Sequence, residues 1–439
     1  MAKVICTELQ KDGASGPNIT LDTSKNVTCE NNLTVDGTST LSGNVAVTGN
    51  VTVTGTLPAD KLTGNLPAIS GASLTNLPAS PPAFRNMVDN GKMDVAQRST
   101  SVTGKSSNGY YVCDRYRNVF ESVGTYSVSR VEDAPEGFVY SMKIDCTTAS
   151  GTLSGSSRHY IEYRNESWNQ QHLLYGTSNA KTTTLSFWVK CTKTGTFNVN
   201  LLNEGARTGS VSGTEVADKT IGKLVTISAA NTWEKKTLTY VGDTAAFIRN
   251  NRHKGVGIRF ILNAGSSYSG GTIQSTWATG NNASYYTGNL ALGVSTDDDF
   301  YITGIQWEIG DSATDFEHRT FGDTLQQCSR YFQVFAQGES AMFSSRGNSG
   351  STAMFSIPLT TPLRNTPTLY WASTYYYNYT AKDSTSDDPS IIDWHEHYTQ
   401  VGMQAGSLSN VADDRTATIF CFGGDSNTPS YDGYFDAEF

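Results

Sequence analysis

Basic charge is scarce in this 439-residue chain, where 32 Lys and Arg stand against 41 Asp and Glu for a net charge of -9. No basic patch arises to neutralise phosphates, so neither nucleic acid nor an anionic membrane surface is an expected partner. Charged residues of both signs make up only 17 % of the sequence, and Thr, Ser, Asn, Tyr and 41 glycines crowd positions where Leu, Ala, Glu and Lys would mark helices. That composition excludes a helical protein and predicts a mostly β one. After MAKVICTELQKDG no stretch is apolar for long enough to serve as a signal peptide, and none further on could cross a bilayer as a helix. A soluble chain made in a cytoplasm is the expectation. Cysteine is sparse as well: Cys6, Cys29, Cys113, Cys146, Cys191, Cys328 and Cys421 are odd in number and form no CxxC pair, which predicts free buried thiols. Also missing is any Ser/His/Asp order, phosphate loop or cysteine–histidine arrangement in a recognisable context.

What the chain does have is a period. Gly37, Gly43, Gly49 and Gly55 recur every six residues and open the units GTSTLS, GNVAVT, GNVTVT and GTLPAD. Carried backwards, the register aligns Val27/Cys29, Leu33/Val35, Val45/Val47 and Val51/Val53, so each unit is a short alternating strand with a Gly or Asn corner. One narrow apolar stripe cannot bury itself, and residues 19–60 supply little more than two turns of a single-chain hexapeptide solenoid. Three parallel chains winding their stripes onto a common axis would bury every Val and Leu, so the repeat predicts a homotrimer. The competing reading is a plain Thr/Gly/Asn linker, which would have no reason to keep an apolar register. A second pattern, LPADKLTGNLPAISGASLTNLPA at 57–79, repeats Leu-Pro and Leu-Thr pairs and ends near the Pro81-Pro82 hinge.

These segments resemble the shafts of bacteriophage tail fibres, and residues 84–333 are similar to a β-sandwich domain common in such fibres. The stretches that carry the second likeness include FRNMVDNGKMDVAQRST, YYVCDRYRN, KTTTLSFWVKCTKTGTF and FYITGIQWEIGDSATDFEHRTFGDTLQQCSRYFQ. The resemblance implies a non-catalytic, receptor-binding fibre subunit of a virion tail. It would be assembled in the host cytoplasm, gripped near its N-terminus by a tail adaptor or other tail protein, and would bind a surface glycan such as lipopolysaccharide or an outer-membrane receptor distally.

The residues support the sandwich independently. Leu185, Phe187, Val189 and Cys191 alternate with Ser186, Trp188 and Lys190, and FNVNL continues the alternation past Lys193-Thr194-Gly195, which predicts a hairpin. Ile258, Phe260 and Leu262 form another apolar row, as do Ile305, Trp307 and Ile309. About eight such runs imply two packed antiparallel sheets, a jelly roll being the expected arrangement. Long Gly/Ser/Thr-rich loops at 202–224 and 264–299 are expected on its rim. Leu325, Cys328, Tyr331 and Phe332 fall at helical spacing after Asp323, a candidate cap, and predict a short bridging helix. The domain plan is therefore a proximal attachment segment at 1–18, the stem at 19–60, the neck and hinge at 57–83, the sandwich at 84–320, the bridge at 321–336 and a second β-sandwich tip at 337–439.

Candidate contacts cluster in that tip. In LYWASTYYYNYT one extended strand would place Trp371, Tyr375, Tyr377 and Tyr379 on one side, and Tyr370 and Tyr376 on the other. The first set reads as core, leaving Tyr370 and Tyr376 as rings for a pyranose to stack on, with Asp393 and Trp394 nearby in sequence as further candidate ligand contacts. His395 and His397, two apart on a strand, share a face and are a tentative metal pair, against the simpler reading of exposed strand polarity. No other cofactor is expected. Asp297-Asp298-Asp299, Asp387-Asp388 and Asp413-Asp414 offer oxygen ligands for calcium but follow no known loop spacing, so solvated turns are the expectation. From residue 380 onward eleven acidic residues face only Lys382 and Arg415, which disfavours a strongly anionic polysaccharide. Two rival classes remain: a structural spacer or decoration protein of the virion, and a depolymerase tailspike with paired carboxylates.

Overall fold

Alternating apolar residues need a partner sheet, and in the middle of this chain they find one. The computed structural model describes residues 85–335 in full and several strands between 332 and 436 by backbone. Side chains are described again at 356–369 and 434–439, and three short strands precede residue 30. The chain divides into two units, 1–78 and 79–439.

In the second unit, six strands (Ser101–Lys105, Thr125–Val131, Ser141–Thr148, Thr183–Cys191, Glu234–Tyr240, Asp299–Ile309) form one antiparallel sheet. Seven (Gly109–Tyr110, Tyr116–Glu121, Arg158–Tyr163, Gly195–Asn203, Lys219–Ile227, Val256–Ala264, Ala278–Thr279) form the other. Their inner faces make one core. Leu185, Phe187, Val189 and Cys191 from the first sheet meet Phe197, Val199, Leu201, Ile258, Phe260 and Leu262 from the second, all fully buried. Edge-to-face rings fasten the layers, Phe187 on Phe260 at 5.1 Å and Phe197 on Phe300 at 5.7 Å between centroids. The protein is thus all-β in its sandwich, with antiparallel pairing throughout both sheets.

Three local expectations are corrected here. Lys193-Thr194-Gly195 does not close a hairpin: Thr183–Cys191 pairs with Glu234–Tyr240 and Asp299–Ile309, whereas Gly195–Asn203 pairs with Lys219–Ile227 and Val256–Ala264 in the opposite sheet. The turn is an arch between layers, anchored by Lys193 Nζ, which donates to Asp298 at 2.7 Å and to the Ala291 carbonyl at 2.8 Å. Alternation looks the same in a hairpin and in an arch. Ile309 is 42 % exposed instead of continuing the row of Ile305 and Trp307. That row is itself displaced by a bulge: Ser186 faces Gln306 but Trp188 faces Thr303, so Phe187 stands opposite two residues, one of them Gly304 with φ +63°. Phe300 and Ile302 therefore share the core with Ile305 and Trp307 despite the change of parity. Finally, the helix Phe321–Ser329 is capped by Thr320, whose hydroxyl accepts from the Asp323 N–H, while Asp323 sits in the first turn and accepts from that hydroxyl at 2.7 Å.

The helix leads into Phe332–Gln337, which pairs with Tyr431–Asp436, itself paired with Thr368–Trp371. The last residues dock on the sandwich through buried charge. Arg115 lies 3.3 Å over the Tyr331 ring and pairs with Asp89 and Glu438, Arg98 bonds Asp436 at 3.1 Å, and Glu166 receives Arg330 and the Tyr331 hydroxyl. Cys113, Cys146, Cys191 and Cys328 are free and buried.

LYWASTYYYNYT is not one strand. Thr368–Trp371 belongs to the three-stranded sheet just described, whereas Thr374–Asn378 pairs with Ala381–Ser384 and Thr416–Cys421 in a separate seven-stranded sheet. In the first unit Glu8–Leu9, Ile19–Leu21 and Val27–Cys29 pair antiparallel within one chain. The glycine-opened units at 37–60, and with them the expected parallel three-chain stem, lie outside the described residues.

Candidate functional site

Every second residue of a sandwich strand points away from the core, and antiparallel register decides which of these meet. On the outer face of the seven-stranded sheet, Gly222 lies opposite Asn200, Asn200 opposite Arg259, Arg259 opposite Glu162 and Glu162 opposite Arg117. This is one continuous rung across five strands. The next rung runs Leu224, Asn198, Ile261, Tyr160, Val119 in the same strand order.

The first rung carries charge. Glu162, 2 % exposed, accepts from Arg259 Nε at 2.6 Å, with Arg164 at 2.7 Å and Arg117 at 3.6 Å. Burial alone would raise its carboxyl, but the guanidiniums of Arg259 and Arg164 outweigh burial and hold it below the ordinary glutamate value. Arg259 also donates to Glu204 at 3.2 Å. At the edge of the face Arg158 is bound by Glu121 through two nitrogens, at 2.6 and 2.5 Å. Each guanidinium is therefore fixed as a directed donor with its charge largely answered.

The second rung is covered from Asn198 to Val119, while Leu224 at its end is exposed. The segment after Val256–Ala264 does not stay on the rim but folds back over the outer face, where Tyr286, Ala264, Ile261, Tyr160 and Val119 form a small satellite core. Asn198 and Asn200 hold it down, both donating to the Tyr285 carbonyl, at 3.2 and 3.3 Å, while Asn198 Oδ1 accepts from Thr287 N at 3.1 Å. Tyr285 sits edge-on to Tyr160 at 5.9 Å and to Tyr268 at 5.8 Å, and Arg158 lies 4.9 Å from the Tyr268 ring.

Between sheet and loop a cavity of about 250 Å³ remains, lined by Arg158, Asn200, Arg259, Tyr268 and Tyr285 among others. Gly222 makes part of its floor: a Cβ there would lie 2.4 Å from Asn200 Oδ1 and 3.1 Å from Ile273 Cγ1. Rings to stack on, amide and guanidinium groups to hydrogen-bond, and a concave shape suit a small polyhydroxylated ligand. Sequence reading missed this cleft. Its traces were there, in the polar residues alternating with core positions and in tyrosines set in a Gly/Ser loop, but only the register brings them together.

Tyr370 lies on Thr368–Trp371 opposite Tyr434, and Tyr376 on Thr374–Asn378 opposite Ile419, in two different sheets and not on one shared face. Asp393 ends the strand Ser390–Asp393, opposite Gly402. Trp394, His395 and His397 lie outside the described residues, as do Asp387-Asp388 and Asp413-Asp414. Asp298 is buried and not a solvated turn residue. Its buried carboxylate accepts from the N–H groups of Gly293, Val294 and Ser295 and from Lys193. Among the described residues no group of three or more His, Cys, Asp or Glu is placed to hold a metal ion.

No protein-family model matches the sequence, and no curated protein matches it. Among solved structures the chain is similar to the module TmCBM61 in complex with β-1,4-galactotriose, at 10 % identity over 52 % of this chain and 99 % of that one, with TM-score 0.24. It is also similar to the CBM22-1 xylan-binding domain of Paenibacillus barcinonensis Xyn10C, at 8 % identity, 48 % and 95 % coverage and TM-score 0.22. A family 30 carbohydrate-binding module shows 9 % identity, 54 % and 92 % coverage and TM-score 0.25. Overlap at this level decides nothing about ligand.

Proposed function

We propose that this chain is a phage tail-fibre subunit that attaches the particle to a host cell by binding a surface glycan, lipopolysaccharide being one example, without cleaving it. The observation that carries the reading is the cleft on the outer face of the seven-stranded sheet, where tyrosines and fixed donors surround a cavity large enough for a sugar ring. Glycan cleavage by paired carboxylates needs one acid with a raised pKa and a second free to act as base or nucleophile. The one carboxylate in the lining of this cavity, Asp218, accepts from the Gly205 N–H at 2.9 Å, while Glu121, Glu162 and Glu204 beside the cavity are engaged by arginines, and Glu162 is pushed the wrong way for an acid.

The six-residue repeat supports a homotrimer, and the order of segments supports attachment to a tail adaptor through the N-terminal end and to the cell through the domains beyond residue 84. The test is adsorption. Soluble full-length protein should bind host cells and compete with virions, and Arg259→Ala and Tyr268→Ala should remove most of that competition. A spacer or decoration protein would do neither, and release of reducing ends from host polysaccharide would mark a depolymerase.

A further inference from the structure

The first residues of the sandwich are held by the loop that follows Asp299–Ile309. Arg85 Nε donates to Thr314 Oγ1 at 2.8 Å, Asn86 N donates to Glu317 Oε2 at 2.7 Å, and Arg319 Nη2 donates to the Asn86 carbonyl at 2.6 Å. Beside this entry point the loop carries a cluster of rings. Phe138, Phe316 and His318 pack on one another with centroids 4.9, 5.5 and 5.0 Å apart. Phe138 continues the cluster to the bulge at Gly304, where a Cβ would meet both its ring and that of Trp188.

The two most exposed large apolar side chains among the described residues border this cluster. Val139, 60 % exposed, follows Phe138 in the chain, and Phe321, 55 % exposed, opens the helix three residues after His318. A single exposed apolar residue is ordinary, but a gathering of them with partly buried rings marks a surface that meets another. Charge around the patch is answered locally, Glu317 by Arg319 at 3.5 Å and Glu308 by Arg85 at 3.5 Å. Two such patches can therefore meet without like charges opposing them.

The position of the patch says what covers it. The six-residue period at 37–60 predicts three chains on one axis, and the chain passes from there into the sandwich at Arg85. From Ala79, where the Leu-Pro and Leu-Thr pairs end, to Arg85 is six residues, which span at most about 20 Å. A stem of three chains thus tethers three entry points close together and raises the local concentration of the patches beside them. Around a three-fold axis only the surface nearest the axis meets its own counterpart, and the tether makes the entry point that surface. Resting on the trimer reading above, we infer that the patch of Phe138, Phe316, His318 and Phe321, with Val139 at its edge, is where the three sandwiches touch one another.

The test is photocrosslinking of the full chain. Benzoylphenylalanine replaces Phe321 or Val139, and replaces the exposed Leu224 or Val294 as controls. Sedimentation of each chain counts the protomers, and mass spectrometry identifies the linked peptides. The expected result is a trimer whose chain-to-chain product is about tenfold or more stronger from 321 than from 224 or 294, weaker from 139, and linked to 134–140 or 314–326 of another copy. Adding Val139→Asp to the chain labelled at 321 should cut that product severalfold and leave the trimer, held by its stem, intact. A trimer that gives no chain-to-chain product from 321, or links only to 1–84 or 337–439, overturns the inference and leaves the trimer reading standing. Equal product from the control positions overturns it too. A monomer in sedimentation removes both.

Discussion

The two faces of the seven-stranded sheet are built from the same strands, one residue apart, and they do opposite things. Phe197, Val199, Leu201, Ile258 and Phe260 on the inner face meet apolar side chains from the facing sheet, and their energetics are burial and fit. Asn198, Asn200, Arg259, Glu162 and Tyr160 on the outer face meet charge, amides and a tyrosine-bearing loop. The contrast teaches that packing fixes where the strands lie, and that this register then assembles the cleft. A one-residue slip of any of these strands would exchange the two sets and destroy both.

The comparison can be broken most severely from inside. Phe260→Ala empties a fully buried site against Phe187 and should cost about 3–5 kcal/mol, measured by denaturant unfolding. The outer face should answer differently. Glu162→Gln leaves Arg259, Arg164 and Arg117 without their shared carboxylate and should cost about 3 kcal/mol, with cell binding lost even where the fold survives. If Glu162→Gln proved as harmless as an exposed substitution, the outer face would be mere surface.

A third prediction concerns pH. His159 faces inward between Phe120 and Tyr126, where its ring is fully buried. Burial pushes its pKa down to about 3. The unfolded chain takes up this proton near the ordinary value of about 6.5 while the folded chain resists it, so the residue's contribution is complete above that value and lost progressively as pH falls towards 3. Between pH 7 and pH 5 the loss should reach about 2 kcal/mol. His159→Phe should abolish that part of the acid sensitivity, read as the difference in unfolding midpoints between variant and wild type at the two pH values. The smallest effect on stability belongs to Tyr268→Ala, about 1 kcal/mol, since the ring is only partly buried against the satellite core and makes one edge-on pair with Tyr285. Its melting temperature should fall only slightly while glycan binding falls, and a large stability loss would place Tyr268 in the fold and not in the cleft.

Much of the inner face is legible in the sequence, because alternation of Leu185 to Cys191 and of Ile258 to Leu262 is a local property. The arch at Lys193-Thr194-Gly195 is not, since hairpin and arch share one pattern and only pairing with distant strands separates them. The bulge at Gly304 is likewise invisible to a strict count of two, and Ile309, which keeps the parity of Trp307, is exposed because the strand ends there, which alternation does not reveal. For the site, the sequence points to the dense run at 370–379, where aromatics stand out locally. The cleft instead draws on residues from 158 to 285, joined by register and by a loop that folds back.

Hydrogen–deuterium exchange of the full chain, with and without the strongest-binding glycan, tests the central claim most directly. Bound glycan should slow exchange at 198–202, 256–264 and 268–286 and leave the rest of the sandwich unchanged. Protection confined to 368–397, or to none of the chain, would contradict it.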